Sequence, residues 1–146
     1  MRAAEGEAIA KDLRRKAEGI AQMVSFVETR SPATVAEYRE KLYARMQEVL
    51  SSATVDESRI LTEAAIYADK VAVDEETVRL RSHLAQLGTM LESSEPIGRK
   101  LDFLMQEINR ETNTIGSKCC DLEIAKTVVD LKAELEKIRE QIQNIE

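Results

Sequence analysis

Residues 121–146, DLEIAKTVVDLKAELEKIREQIQNIE, place Ile124, Val128, Leu131, Leu135, Ile138, Ile142 and Ile145 at spacings of four, three, four, three, four and three. This is an uninterrupted heptad seam, the pattern of a helix that lays one face along another helix. Glu, Lys, Arg and Gln fill most of the positions between. At 1.5 Å per residue the segment extends about 38 Å, more than a compact bundle of this size requires. It is therefore expected to pair with another long helix or with a second subunit.

The other long helix stands at the start of the chain. Ile9, Leu13, Ala17, Ile20, Val24 and Val27 recur every three or four residues and share one face, which predicts a helix from near residue 3 to about 29. Ser31 before Pro32 reads as an N-cap followed by proline at the first helical position, where its missing amide hydrogen costs nothing. A second helix to about residue 51 follows, with an apolar stripe at Val35, Tyr38, Leu42, Met46 and Val49 and with Arg39, Lys41 and Arg45 toward water or a partner. SSATVDES, residues 51–58, breaks the pattern. The third helix runs through Leu61, Ala64, Ala68 and Val71, whose small residues mark it as an interior candidate. Asp74 reads as the N-cap of a fourth, with Glu75 and Glu76 at the positive end of its dipole and Leu80, Leu84, Leu87 and Leu91 inward. Pro96 opens a fifth, which Gly116 is expected to end by taking left-handed backbone angles. The fold expected is all-α: an elongated bundle of about six helices, with long antiparallel N- and C-terminal helices, in a single domain over residues 1–146.

Composition agrees. The chain has 33% charged residues, only five Gly and two Pro, and few aromatics, and its abundant Ala, Leu, Glu, Lys and Arg lose little freedom in helices. No apolar run approaches the roughly 20 residues that cross a bilayer, and MRAAEGEAIA lacks the regions of a signal peptide, so a cytoplasmic protein is expected. Cys119 and Cys120 are adjacent, a poor geometry for a relaxed disulfide, and no second Cys/His pair exists to complete a zinc site. Net charge is −6, from 21 basic and 27 acidic side chains, which excludes attraction to nucleic acid by overall charge. Any RNA contact has to be local or metal-assisted.

Such a locality exists. On a wheel of 100° per residue, Arg99, Asp102, Gln106, Asn109, Arg110 and Asn113 fall within about 50° of one direction, opposite Ile97, Leu101, Leu104, Met105, Ile108 and Ile115. A solvated helix face is usually rich in Glu and Lys, whereas this one holds two guanidinium groups, a carboxylate and three amides. Arg clasps phosphate bidentately, and amides donate to sugar and phosphate oxygens. The same stripe also suits an interhelix polar network. The one histidine, His83, lies one turn beyond Arg79 and two beyond Glu76 on a shared face. A phosphodiesterase can use these as proton carrier, charge stabiliser and orienting or metal-holding carboxylate; a histidine at the edge of an apolar stripe also serves simply in packing. From Arg79 to Lys118 there are six Lys or Arg against five acids, so this section carries a local balance of +1 and is where an RNA face is to be sought.

GRKLDFLMQEINRETNTIGSK, residues 98–118, followed by VVDLKAELEKIREQIQNIE to the terminus, resembles the signature ending of the YicC family of stress-linked bacterial endoribonucleases. DEETVRLRSHL, residues 74–84, and the opening MRAAEG are similar to its other recurring pieces. The resemblance implies the helical C-terminal domain of a two-domain protein, with the N-terminal domain absent from this chain. It further implies a homo-oligomer, hexameric at full length, that cuts RNA with a divalent metal cation, Mn²⁺ or Mg²⁺, in RNA turnover and stress adaptation, without an organic cofactor or a membrane. Its motif positions fall on Glu75, Glu76, Arg79, His83, Arg99, Asp102, Gln106, Glu107, Asn109, Arg110, Asn113 and Lys118. On this reading His83, Glu76 and Asp102 are catalytic, with His83 in proton transfer, and Glu76, Asp102 and Glu107 hold the cation. Arg79, Arg99, Gln106, Asn109, Arg110, Asn113 and Lys118 contact RNA. The alternative is a non-catalytic RNA-binding or oligomerisation scaffold that regulates RNA degradation.

Overall fold

The structure is a computed structural model that describes residues 2–51, 54–93 and 98–145, the side chains of 2–4 and 145 excepted. The described residues form five α-helices: α1 (Arg2–Leu50), α2 (Glu57–Val71), α3 (Asp74–Leu91), α4 (Gly98–Lys118) and α5 (Leu122–Ile145). The first part of α1 packs on α3 and α5, and α4 packs on both of those, which closes a ring of four helices. The seam read from the sequence faces inward: Ile124, Val128, Leu131, Leu135, Ile138 and Ile142 are all buried, while the side chain of Ile145 lies outside the described residues. Leu13, Ile20, Val24 and Val27 of α1 meet them in one core with Leu80 and Leu87 of α3 and Leu101, Leu104, Ile108 and Ile115 of α4.

α1 and α5 run antiparallel. Gln141 Nε2 donates to Asp12 Oδ2 at 2.7 Å, and at the other end of the pairing Arg30 Nη2 donates to Asp121 Oδ1 at 2.8 Å. Asp121 is also the cap of α5, since its Oδ2 accepts from the Ile124 amide at 3.1 Å. One arginine thus ties the middle of α1 to the start of α5.

The expectation of a break at Ser31–Pro32 is corrected: Pro32 lies inside a continuous 49-residue helix. The buried stripe of α1 continues past Val27 through Ser31 and Thr34, two small polar residues that a search for apolar periodicity passes over. Thr34 satisfies its hydroxyl by donating to the Ser31 carbonyl at 2.7 Å, and Pro32 faces solvent. The packing on both sides of Pro32 outweighs the cost of the proline. The bundle consequently has one helix fewer than expected.

Other expectations change in detail. α2 packs on the second part of α1, where Tyr38 and Tyr67 stack with centroids 4.0 Å apart, and Leu61 and Ile66 are exposed, so it is a peripheral helix and not an interior one. Asp74 is the first helical residue after Val73, with no side-chain cap. Gly116 does not end α4; no glycine has a positive φ among the described residues. Its role is close approach, because a Cβ there would stand 3.2 Å from Val128 Cγ1 on α5. Pro96 and Ile97 lie outside the described residues.

Candidate metal and RNA site

α3 and α4 run antiparallel, and their shared edge carries a series of charged pairs. Lys118 Nζ donates to Glu76 Oε1 at 2.7 Å and to the Ala72 carbonyl at 3.2 Å. Next along the seam, Arg79 Nε donates to Glu111 Oε1 at 2.8 Å, with Glu75 and Glu76 at 3.7 and 3.8 Å from its other nitrogens. One turn further, His83 of α3 meets Glu107 and Glu111 of α4, with one ligand atom from each lying within 4.8 Å of the others.

Helical spacing explains the grouping. Glu107 and Glu111 are four apart and project side by side, and Arg79 and His83 are four apart on the helix facing them. Glu76 and Glu111 are buried. Burial pushes the Glu76 carboxyl up, but the Lys118 hydrogen bond, the backbone and the charges of Lys118 and Arg79 outweigh it and hold it below its ordinary value. The Glu111 hydrogen bond, followed by the charges of Glu111, Glu76 and Glu75, raises the Arg79 guanidinium further above its ordinary value. Both pairs are within salt-bridge distance. His83 differs: both its ring nitrogens are closed to solvent and neither makes a hydrogen bond.

The residues picked from the sequence do not all converge. Asp102 lies on the opposite flank of α4, about 140° around the helix from Glu107, where it lines a cleft of about 100 Å³ with Gln106, Asn109, Lys132, Glu136 and Arg139. Glu76 stands seven residues from His83, about 10 Å along α3, and is engaged by Lys118. The set Glu76, Asp102 and Glu107 is therefore split between two faces. Arg99, Arg110 and Asn113 are exposed on the outer surface of α4. Glu111, which the sequence reading passed over because it falls at the edge of the apolar stripe, completes the group around His83. Its i, i+4 relation to Glu107 was the available signal.

An imidazole with two unengaged nitrogens beside two carboxylates fits a divalent cation. Four carboxylates, Glu75, Glu76, Glu107 and Glu111, stand along the seam against two cations, Arg79 and Lys118, so a positive charge is accommodated there. Around it the exposed face of α4 adds Phe103, 64% exposed, one turn before Glu107 and one turn after Arg99. The cysteines are free, and no described helix is long and apolar enough to cross a membrane.

Residues 27–146 match the family described as Endoribonuclease YicC-like, C-terminal. A probable endoribonuclease YicC of Clostridioides difficile (strain 630) is 49% identical over 147 residues, covering 100% of this chain and 50% of the relative. One of Haemophilus influenzae (strain ATCC 51907 / DSM 11121 / KW20 / Rd) is 36% identical over 146 residues, again covering 100% of this chain and 50% of the relative. The chain spans about half the length of the curated relatives it matches.

Proposed function

The chain belongs to the YicC-like endoribonuclease C-terminal family, and on that premise we propose that it is the helical part of a divalent-metal-dependent endoribonuclease whose reaction centre lies on the α3–α4 edge. The observation that carries this reading is the convergence of His83, Glu107 and Glu111 beside Arg79. His83, Glu107 and Glu111 would hold the cation. When bound, it supplies positive charge opposite a phosphate and lowers the pKa of an attacking oxygen.

The protein's own groups bind and orient the strand. Arg79 and Lys118 border the centre with exposed faces, and Arg99 and Arg110 extend the cationic track along α4 toward successive phosphates. Gln106, Asn109 and Asn113 donate to sugar and phosphate oxygens, and Phe103 offers an aromatic face to an unstacked base. His83 is read here as a ligand in place of a proton carrier, because its nitrogens are closed to solvent. Glu76 is read as the partner of Lys118, and Asp102 as part of the strand-binding flank. Exposed apolar residues on the outer faces of α3 and α5, Val78, Leu122 and Val129, give a homo-oligomer surface to bury. RNA turnover under stress in the cytoplasm is the setting the family resemblance supplies.

End-labelled single-stranded RNA incubated with this chain, and with the protein in its full natural length, in Mn²⁺ or Mg²⁺ and in chelator, tests the reading. Cleavage that needs the divalent ion is expected. RNA bound by both forms yet left intact in every metal would make the protein a scaffold.

A further inference from the structure

The edges of the bundle differ in how they treat charge. Along α3–α4, Lys118 is paired with Glu76 and Arg79 with Glu111, and α1 is tied to α5 by Arg30 with Asp121 and by Asp12 with Gln141. The α4–α5 edge is the exception. These two helices are joined by three residues, pack on one another and run antiparallel, and between them is a cleft of about 100 Å³. Asp102, Gln106 and Asn109 line it from α4, and Lys132, Glu136 and Arg139 line it from α5, each set spaced by four and then three residues. Its floor is Met105 and Leu135, both buried. Two carboxylates, two cations and two amides thus share one small space, and none of the six makes a hydrogen bond or ion pair among the described residues. Exposed opposite charges gain little by closing on one another, so these groups stay available to a ligand that both donates and accepts.

The size of the cleft limits what enters it. Ordinary small-molecule pockets begin at about 300 Å³, so this one has room for the edge of a single planar ring system. Among the RNA bases, uracil presents one ring N–H between two carbonyl oxygens, and adenine and cytosine present an amino group beside a ring-nitrogen acceptor. Guanine alone offers two donors side by side, N1–H and its 2-amino group, which one carboxylate accepts together. It also offers two adjacent acceptors, O6 and N7, the pair that Arg engages bidentately. Antiparallel packing sets Asp102 and Arg139 at the same end of the cleft on opposite walls, where they meet those two edges of one base.

The cleft is also placed to act on the strand that reaches the α3–α4 edge. On the α4 wheel, with Arg99 at 0°, Asp102 and Asn109 stand at about 300° and 280°, whereas Glu107 and Glu111 stand at about 80° and 120°. Arg99, Arg110 and Phe103 occupy the exposed arc between them, at about 0°, 20° and 40°. A strand crossing the outer surface of α4 therefore passes from the cleft to the opposite edge over two guanidinium groups and an aromatic ring.

We propose that the α4–α5 cleft is a guanine-reading subsite for single-stranded RNA, in which Asp102 accepts from N1–H and the 2-amino group and Arg139 donates to O6 and N7. It rests on the reading of α4 as the RNA-binding face, and it gives α5 a part in choosing the strand. Lys132, on the α5 wall, meets the phosphate next to that base.

Fluorescence anisotropy of the protein in its full natural length tests it, in chelator so that binding is read apart from cleavage. The probes are labelled oligouridines that differ in one central residue: guanosine, adenosine, or inosine, which is guanosine without the 2-amino group. Guanosine is expected to bind about tenfold more tightly than adenosine, with inosine between. Asp102→Asn and Arg139→Gln, both at exposed positions, should each bring that ratio to about twofold or less with melting unchanged, and Glu123→Gln, exposed on α5, should keep it. The ratio is taken within one protein, so a general change of charge does not move it. Equal affinity for the guanosine and adenosine strands in the parent, or an undiminished ratio in both cleft variants, overturns the proposal and leaves the RNA reading standing. Guanosine monophosphate binding as tightly as the guanosine strand would assign the cleft to a free nucleotide and overturn it too. Failure to bind any of the strands would defeat the RNA reading itself, and the subsite with it.

Discussion

Lys118, the last residue of α4, donates its ammonium to Glu76 in the first turn of α3 at 2.7 Å. The carboxylate is buried and its second oxygen has no partner, so the ion pair is what makes its burial tolerable. Lys118→Met removes the partner and leaves the charge behind. Breaking a buried pair costs about 3–5 kcal/mol, and the half-open position of Lys118 brings the expectation to about 2 kcal/mol. The double change Glu76→Gln with Lys118→Met should recover most of that loss. Urea unfolding of the parent, both single variants and the double checks it; an unchanged midpoint in Lys118→Met would mean that the pair does not hold the end of α4.

Pro32 interrupts one hydrogen bond of α1 while the helix continues on both sides. Pro32→Ala restores the amide to a position already helical and is expected to stabilise by about 1–3 kcal/mol, the helix-interior cost of proline. Were residue 32 the first turn of a separate helix, proline would be favoured there and the same substitution would be neutral or slightly destabilising. The sign of the change in unfolding midpoint decides between the two.

Two carboxylates make the long α1–α5 pairing sensitive to acid. Hydrogen bonds from Arg30 hold Asp121 below its ordinary value against the effect of burial. Hydrogen bonds from Gln141 and Lys16 bring Asp12 from 3.8 down to about 2. A carboxyl with a depressed folded-state pKa stays charged while its unfolded counterpart takes up a proton, so acid favours the unfolded chain. The contribution is whole above about pH 4 and disappears as pH falls from 3.8 through the folded values, about 2 for Asp12. Thermal unfolding should show a midpoint that is nearly level between pH 7 and 5 with respect to these groups and falls below pH 4, with a shallower acid limb in Asp121→Asn. Parent and Asp121→Asn following one acid limb would contradict the assignment.

Phe103 is 64% exposed and makes no part of the core. Phe103→Ala should therefore leave the melting temperature within a degree or two, while weakening binding of single-stranded RNA by about 1–3 kcal/mol, the worth of one stacked base. Fluorescence anisotropy with a labelled oligonucleotide measures it. Equal affinity for parent and variant would remove the base-stacking contact from the account.

The elements legible in the sequence were those with a clear period. The heptad seam of α5 and the apolar stripe of early α1 announce themselves because their inward residues are nearly all aliphatic. The continuity of α1 was hidden for the opposite reason: its stripe crosses Pro32 on Ser31 and Thr34, which are buried but polar. α2 looked interior from its alanines, yet only part of it is covered: Ala64 is buried while Leu61 and Ile66 remain exposed. At the site, His83 and Arg79 were found from spacing within one helix, and Glu107 from the family resemblance. Their grouping depends on how α3 and α4 are aligned, which no within-helix period contains. Asp102 was placed with Glu107 by the resemblance although the two stand about 140° apart on α4, and Glu111, buried at the edge of the apolar stripe, was missed.

The most direct test of the account is cleavage of an end-labelled RNA by the full natural protein carrying Glu107→Gln, in Mn²⁺, alongside its RNA affinity and its melting temperature. The account predicts a cleavage rate at least about a hundredfold lower, in keeping with the loss of a group that places a catalytic charge, with RNA affinity and melting unchanged. Parental cleavage by the folded variant would contradict it and take the reaction centre away from the α3–α4 edge.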